Sequence, residues 1–294
     1  MKILSIWKLL KETFSEWQAD KVPVWAAALA YYTAFSLAPL LVIAIAIASA
    51  VFGEEAARGE VVGQIQGLVG KPGAEAIQAM LQNTQKPGSG GIVATAVGIG
   101  ALLLGASGVF GQLQEALNAI WGVQPKPGRG MRFFIQNRFV SFAMVLVIGF
   151  LLLVSLLLSA GLAAFGAFLG YLFPDLAIAG QILNFLISFG VMVLLFGLIY
   201  KVLPDVKIPW KYLWIGAIVT ALLFNIGKFL IGLYLGSGSV SSTYSAAASL
   251  GIILLWVFYS AQILLFGAEF TKVYARKHGM HRIKPVEDAV LVEK

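Results

Sequence analysis

The stretch Trp25–Leu41, WAAALAYYTAFSLAPLL, is apolar enough to sit in a bilayer, yet it carries two adjacent tyrosines, a threonine, a serine and a proline. Ala26, Ala30, Ala34 and Ala38 recur at every fourth residue, so they lie along one side of a helix. In lipid, helices associate through close backbone approach, which small residues permit. The alanine stripe is therefore read as a packing face. Tyr31, Thr33 and Ser36 cannot all share it, and their hydroxyls need backbone carbonyls, a neighbouring helix or water. Pro39 removes the hydrogen bond to the carbonyl of Phe35 and is expected to kink the span, freeing a polar spot near Tyr32 and Ser36. Two readings stay open: a kinked packing helix with internally satisfied hydroxyls, and a helix lining a polar cavity.

The rest of the chain has the same character. Of its 294 residues, 59% are hydrophobic and 12% charged, and the mean hydropathy is +0.87. A soluble domain carries about a quarter charged residues, so this composition points to lipid. Six segments are long and apolar enough to cross a bilayer as helices: 25–52, 92–109, 139–162, 182–202, 212–234 and 246–270. The expected fold is all-α and polytopic, a six-span membrane domain over 25–271. An amphipathic helix over 1–24 precedes it and a basic tail over 272–294 follows it. The run before Ala48–Ala50 is too long for a cleaved signal peptide and reads as an uncleaved first span. In the leading residues, Ile3, Trp7, Leu10, Phe14 and Trp17 share one helical face, which suits a helix at the membrane surface or packed on the bundle.

Charge sets the orientation. With the N-terminus cytoplasmic, only Arg58, Lys71 and Lys86 of the 21 basic residues fall in outer loops, and Lys228 falls inside a span. Both termini are then expected on the cytoplasmic side of the membrane. The net charge of +7 is matched to an anionic inner leaflet rather than to nucleic acid. Outer loop 53–91 has apolar helical stripes divided by GKPG at Gly70–Gly73, which predicts two short interfacial helices. The loop GSGSVSSTYS at Gly236–Ser245 carries no charge and is read either as a linker or as a re-entrant stretch.

Polar groups within the spans are costly and therefore informative. Lys228 lies in span five with Asn225 one turn earlier. It either snorkels to the outer interface or faces a cavity and receives an anionic group. In span six, Tyr259, Gln262, Phe266 and Glu269 form one stripe, with Lys211, Arg138 or Lys201 as expected partners of Glu269. That residue is read as a structural ion pair ahead of proton coupling. Gly105, Gly108 and Gly111 permit close approach or a bend, and Gln112, Glu115 and Asn118 make a polar face at the inner boundary.

The chain has no cysteine, and its two histidines, His278 and His281, lie in the basic tail, read as solvated. No nucleophile–base pair, phosphate-binding glycine motif or carboxylate cluster for metal catalysis appears, so no enzyme, cofactor or metal is expected.

The blocks AAALAYYTAFSLAPLL (Ala26–Leu41), ALNAIWGV (Ala116–Val123), YKVLP (Tyr200–Pro204) and LLWVFYSAQILLFGAEFTKVYARKHG (Leu254–Gly279) resemble the YihY / virulence factor BrkB family. Tyr244-Ser245 departs from the Tyr-Gly expected there. The resemblance implies a six-span bacterial inner-membrane protein tied to envelope integrity and serum resistance, with transport as its expected activity. The old ribonuclease BN label of many members finds no nuclease chemistry in these residues. The expected function is a transporter or lipid-handling permease, with a non-transporting scaffold for envelope machinery, which the resemblance implies, as the alternative. The candidate substrate site is Tyr31, Tyr32, Ser36, Asn225, Lys228, Tyr244, Tyr259 and Gln262. An anionic solute or lipid head group is its expected ligand. Pro39, Gly105, Gly108, Gly111, Glu115 and Glu269 are the structural or gating candidates. Membrane lipids are the expected partners, and nothing in the chain specifies an oligomer.

Overall fold

A computed structural model describes residues 2–34, 36, 108–126, 177–236, 245–280 and 282–292. Their elements, in chain order, are α1 (Lys2–Ala19), helical residues 22–34 (α2), helical residues 108–121 (α3) and β1 (Val123–Pro125). α4 (Ala177–Val202), α5 (Trp210–Gly236), α6 (Ser245–Lys277) and β2 (Ala289–Leu291) follow. Among the described residues, three helices are long and apolar enough to cross a membrane, through Phe185–Val202, Trp210–Ile231 and Ile253–Lys277. They coincide with the fourth, fifth and sixth expected spans. The third span, outer loop 53–91 and the loop before Ser245 lie outside the described residues, as does most of the second span.

Packing between α5 and α6 rests on one repeated pattern. GAIVT (Gly216–Thr220) and GAEFT (Gly267–Thr271) are both Gly-x-x-x-Thr. Thr220 Oγ1 donates to Gly216 O at 2.8 Å and Thr271 Oγ1 to Gly267 O at 2.7 Å. Each hydroxyl is thereby satisfied on its own helix. A Cβ on Gly216 would overlap Thr271, and a Cβ on Gly267 would overlap Thr220 and the Tyr200 hydroxyl. Each threonine thus sits on the other helix's glycine, which requires the two helices to run antiparallel. Farther along, the Tyr259 ring lies on Gly227 in the same register. From α4, the fully buried Tyr200 donates to Leu264 O at 2.6 Å and lies 2.8 Å from Thr220 Oγ1, so one side chain ties three helices.

The alanine face of α2 turns inward: Ala26 and Ala30 are buried, in line with a packing role. Ala26 joins Leu113, Leu117 and Trp121 of α3 and Phe196 and Tyr200 of α4 in one apolar cluster. α1 lies on α6, where Leu9 meets Phe270 and Val273. Ile6, Trp7, Leu10 and Phe14 of α1 remain exposed.

The described residues are mostly helical, and among them a two-stranded sheet departs from the all-α expectation. Gly122, at φ +63°, takes the left-handed conformation that ends α3 and turns the chain into β1. β1 pairs antiparallel with β2, with Val123 opposite Leu291 and Pro125 opposite Ala289. The basic tail is therefore not wholly a solvated appendage. α6 continues to Lys277, and the residues after it fold back over the loop between α4 and α5. There Lys207 N donates to Lys284 O at 2.9 Å and Val286 N to Asp205 O at 3.0 Å. Met280 and Ile283 pack against the main cluster. Charge patterning could not reveal this, because the contacts are mainly backbone pairs and apolar side chains. His278 is exposed and stacks on Tyr274, with ring centroids 4.0 Å apart.

Gly216→Ala and Gly267→Ala are each expected to destabilise the protein by about 1–3 kcal/mol, the usual cost of overpacking. Gly111→Ala, where an added methyl meets open space, is expected to be neutral or stabilising by up to ~1 kcal/mol. Detergent unfolding midpoints of the three variants measure the difference.

Candidate functional site

The expected constellation is only partly brought together. Tyr31 and Tyr32 are exposed, at 60% and 43%, and stand edge to face with ring centroids 6.0 Å apart. Ser36 is buried. The Tyr32 ring lies against Gly108 of α3. Asn225 donates to Ala221 O at 2.9 Å on its own helix and lies 3.5 Å from Met192 Sδ of α4. Lys228 is exposed. Tyr259 does meet α5, at Gly227, a contact that no motif pointed to. Gln262 is half-buried, and its Oε1 is buried with no hydrogen-bond partner among the described residues. Tyr244, Pro39 and Gly105 lie outside the described residues. The tyrosines of α2 and the polar groups of α5 are thus not assembled into one enclosed pocket by the described residues.

Polar side chains converge instead at one end of the bundle, in two places. The first is an ion-pair cluster between α1 and α6. Lys272 Nζ lies 2.9 Å from Glu16 Oε2, 2.8 Å from Asp20 Oδ2 and 3.3 Å from Glu269 Oε2. Arg276 pairs with Glu12 and Glu16, and Lys277 with Glu12. The partner of Glu269 is therefore Lys272, not Lys201 or Lys211. Lys201 donates to Ile208 O at 2.7 Å and stands over Trp210, and Lys211 stands over Tyr212. Arg138 lies outside the described residues. The helical period explains the choice: Lys272 is one turn beyond Glu269, and α1 brings its acidic face to the same turn. Carboxylate oxygens of Glu16, Asp20 and Glu269 lie within 4.8 Å of one another, and the Lys272 ammonium is the cation they hold. Lys277 holds the Glu12 carboxyl below the ordinary glutamate range. Burial works to raise Glu16, but Lys272 and Arg276 outweigh it, and its carboxyl is also held low.

The second place is Asp205, in the loop between α4 and α5. Its carboxylate accepts from Gln114 Nε2 at 3.1 Å and Asn118 Nδ2 at 2.8 Å, and its own N–H donates to Asn118 Oδ1 at 2.8 Å. Its carbonyl accepts from Val286, so one residue joins α3, the loop and the folded-back tail. Burial raises the Asp205 carboxyl above its ordinary range, and the two amides draw it part of the way back. The polar face of α3 is therefore not Gln112, Glu115 and Asn118. Gln114 and Asn118, four residues apart, point inward, while Glu115 is exposed. Spacings of three and four both fit a helix, and only the position of Asp205 selects between them.

Two outcomes follow. Asn118→Ala removes both of its bonds to Asp205 and is expected to cost about 1–3 kcal/mol. It should also expose 282–292 to protease, whereas Glu115→Ala should leave the digestion pattern unchanged. Glu12 and Glu16 have lowered folded-state pKa values, so their contribution is present above the ordinary glutamate range, ~4.3. It is lost as pH falls through that range and below. Acidification should then release α1 from α6, read as faster proteolysis within residues 2–21.

The chain matches the family described as Virulence factor BrkB over residues 13–290. It is 30% identical over 268 residues to a UPF0761 membrane protein of Aeromonas salmonicida, covering 88% of this chain and 86% of that protein. It is 28% identical over 271 residues to one from Verminephrobacter eiseniae, covering 90% and 62%, and 30% identical over 266 residues to one from Pseudomonas aeruginosa, covering 85% and 58%. The chain spans less than two thirds of the length of the latter two. No solved structure matches it. With the match running from α1 to the start of β2, the chain belongs to the Virulence factor BrkB family of membrane proteins.

Proposed function

We propose that this protein crosses the bacterial inner membrane six times, keeps both termini on the cytoplasmic side, and acts as a permease for an anionic solute or lipid. The ion pairs between α1 and the end of α6 support the shared side of the termini, since they hold both at one end of the bundle. Exposed Ile6, Trp7, Leu10 and Phe14 support α1 as a helix lying on the inner leaflet, and the stacked Trp210 and Trp214 beside Lys211 support an interfacial anchor there. The protein is read as non-enzymatic.

The permease reading is carried by one observation. Among the described residues, Gln262 keeps a buried carbonyl oxygen without a hydrogen-bond partner within a membrane-crossing stretch, about one turn from Tyr259, whose ring lies on Gly227, the residue before Lys228 in the chain. An unsatisfied buried acceptor costs about 1–3 kcal/mol, and a charge in the span costs about 2.5–3.5 kcal/mol on insertion scales. A polar or anionic passenger offsets both: its donors reach Gln262 and its charge reaches Lys228. In proteoliposomes, Lys228→Ala and Gln262→Leu should each reduce uptake or lipid flipping tenfold or more while the protein stays folded. Unchanged transport in both variants removes the site. A wild type that moves neither solute nor lipid leaves the scaffold reading.

A further inference from the structure

The cluster between α1 and α6 has a charge left over. Glu12, Glu16 and Asp20 of α1 and Glu269 of α6 face Lys272, Arg276 and Lys277, so one carboxylate has no positive counterpart among the described residues. α5 supplies none: it meets this part of α6 through Gly216 and Thr220, which carry no charge, and Lys211 stands over Tyr212 instead. Lys21, beside Asp20, is exposed.

The oxygen atoms locate the excess. An ammonium has three N–H donors, and those of Lys272 are taken by Glu16 Oε2, Asp20 Oδ2 and Glu269 Oε2 at 2.9, 2.8 and 3.3 Å. Glu269 is 0% exposed, and its Oε1 has no hydrogen-bond partner among the described residues. The oxygens of Glu16 and Asp20 lie within 4.8 Å of it or of its twin. A carboxylate oxygen cut off from water, without a donor and beside two other carboxylates, is the most expensive place in the cluster for negative charge. With Lys272 filling the cation position, no room for a further ligand shell is needed if the missing charge is a proton. Protonation also turns an acceptor-only group into one with a hydroxyl donor, which the neighbouring carboxylates can accept.

We propose that Glu269 is a proton-binding site: its carboxyl carries a proton while α1 is docked, and loss of that proton loosens α1 from α6. The proton neutralises the excess carboxylate and removes the repulsion between Glu269 and the Asp20–Glu16 face. A protein that moved no solute would carry the same proton, so failure here and failure of the permease reading are separate results.

Infrared titration of the purified chain with isotopically labelled glutamate tests this, together with spin labels at Lys11→Cys and His278→Cys in the cysteine-free background. A protonated-carboxyl band is expected at neutral pH, shifted by the glutamate label, absent in Glu269→Gln, and fading as pH rises. The distance between labels should lengthen as the band fades and stay constant in Glu269→Gln. The proposal is overturned if no such band exists in the wild type at neutral pH, a result that needs no variant. It is also overturned if the band shifts with labelled aspartate instead, or if Glu269→Gln releases α1 as the wild type does. Loss of the band on adding sodium, magnesium or calcium at constant pH overturns it too, because a metal ion would then be the missing charge.

Discussion

Two glycine–threonine pairs, Gly216 with Thr271 and Gly267 with Thr220, set how closely α5 and α6 approach. Lipid chains are as apolar as leucine, so burying more leucine does little to hold two helices together in a bilayer. Close contact and satisfied hydroxyls must do it. Each threonine meets both needs, returning its proton to the carbonyl four residues back while resting on a glycine that has no side chain in the way. Tyr200 then closes α4 onto the same crossing with one hydrogen bond to Leu264 O. The register of this crossing places Tyr259 at Gly227 and carries the end of α6 past α5, where α1 and the tail can reach it.

The end of the bundle is held by a different kind of interaction. α1 is bound largely by charge, with Lys272 and Arg276 drawing together Glu12, Glu16 and Asp20. The loop between α4 and α5 is bound by amides and backbone, through Asn118, Gln114, Asp205 and the returning strand β2. Charge pairs respond to pH and salt, whereas backbone pairs do not. The two attachments therefore differ in how strongly salt acts on them: α1, held by charge pairs, is the more responsive, and the β1–β2 cap, held by backbone pairs and the amide-bonded Asp205, the less so. The apolar face of α1 gives that difference a consequence, since a helix freed from α6 still has Ile6, Trp7, Leu10 and Phe14 to keep it against a membrane.

Composition and apolar run length were enough to place α4, α5 and α6, because a helix that crosses lipid must satisfy its backbone internally and needs about 20 apolar residues to do so. The alanine spacing in Trp25–Leu41 was likewise enough to identify a packing face, now seen at Ala26 and Ala30. These are local properties, readable one segment at a time. Which groups meet across the fold is not local. Gly-x-x-x-Thr occurs in both α5 and α6, but neither copy alone says that each glycine will receive the other's threonine. Asp205 gave no signal of its own, because its partners are neutral amides 87 and 91 residues away. Glu269 was recognised as costly, yet its setting came from α1, whose Asp20 is brought to Lys272 across 252 residues of chain. The order of residues was sufficient for these helices and their apolar faces, since hydrogen bonding and hydrophobicity act over a few turns. The polar contacts waited on the packed fold, since a carboxylate's cost depends on which distant donors the packing delivers to it.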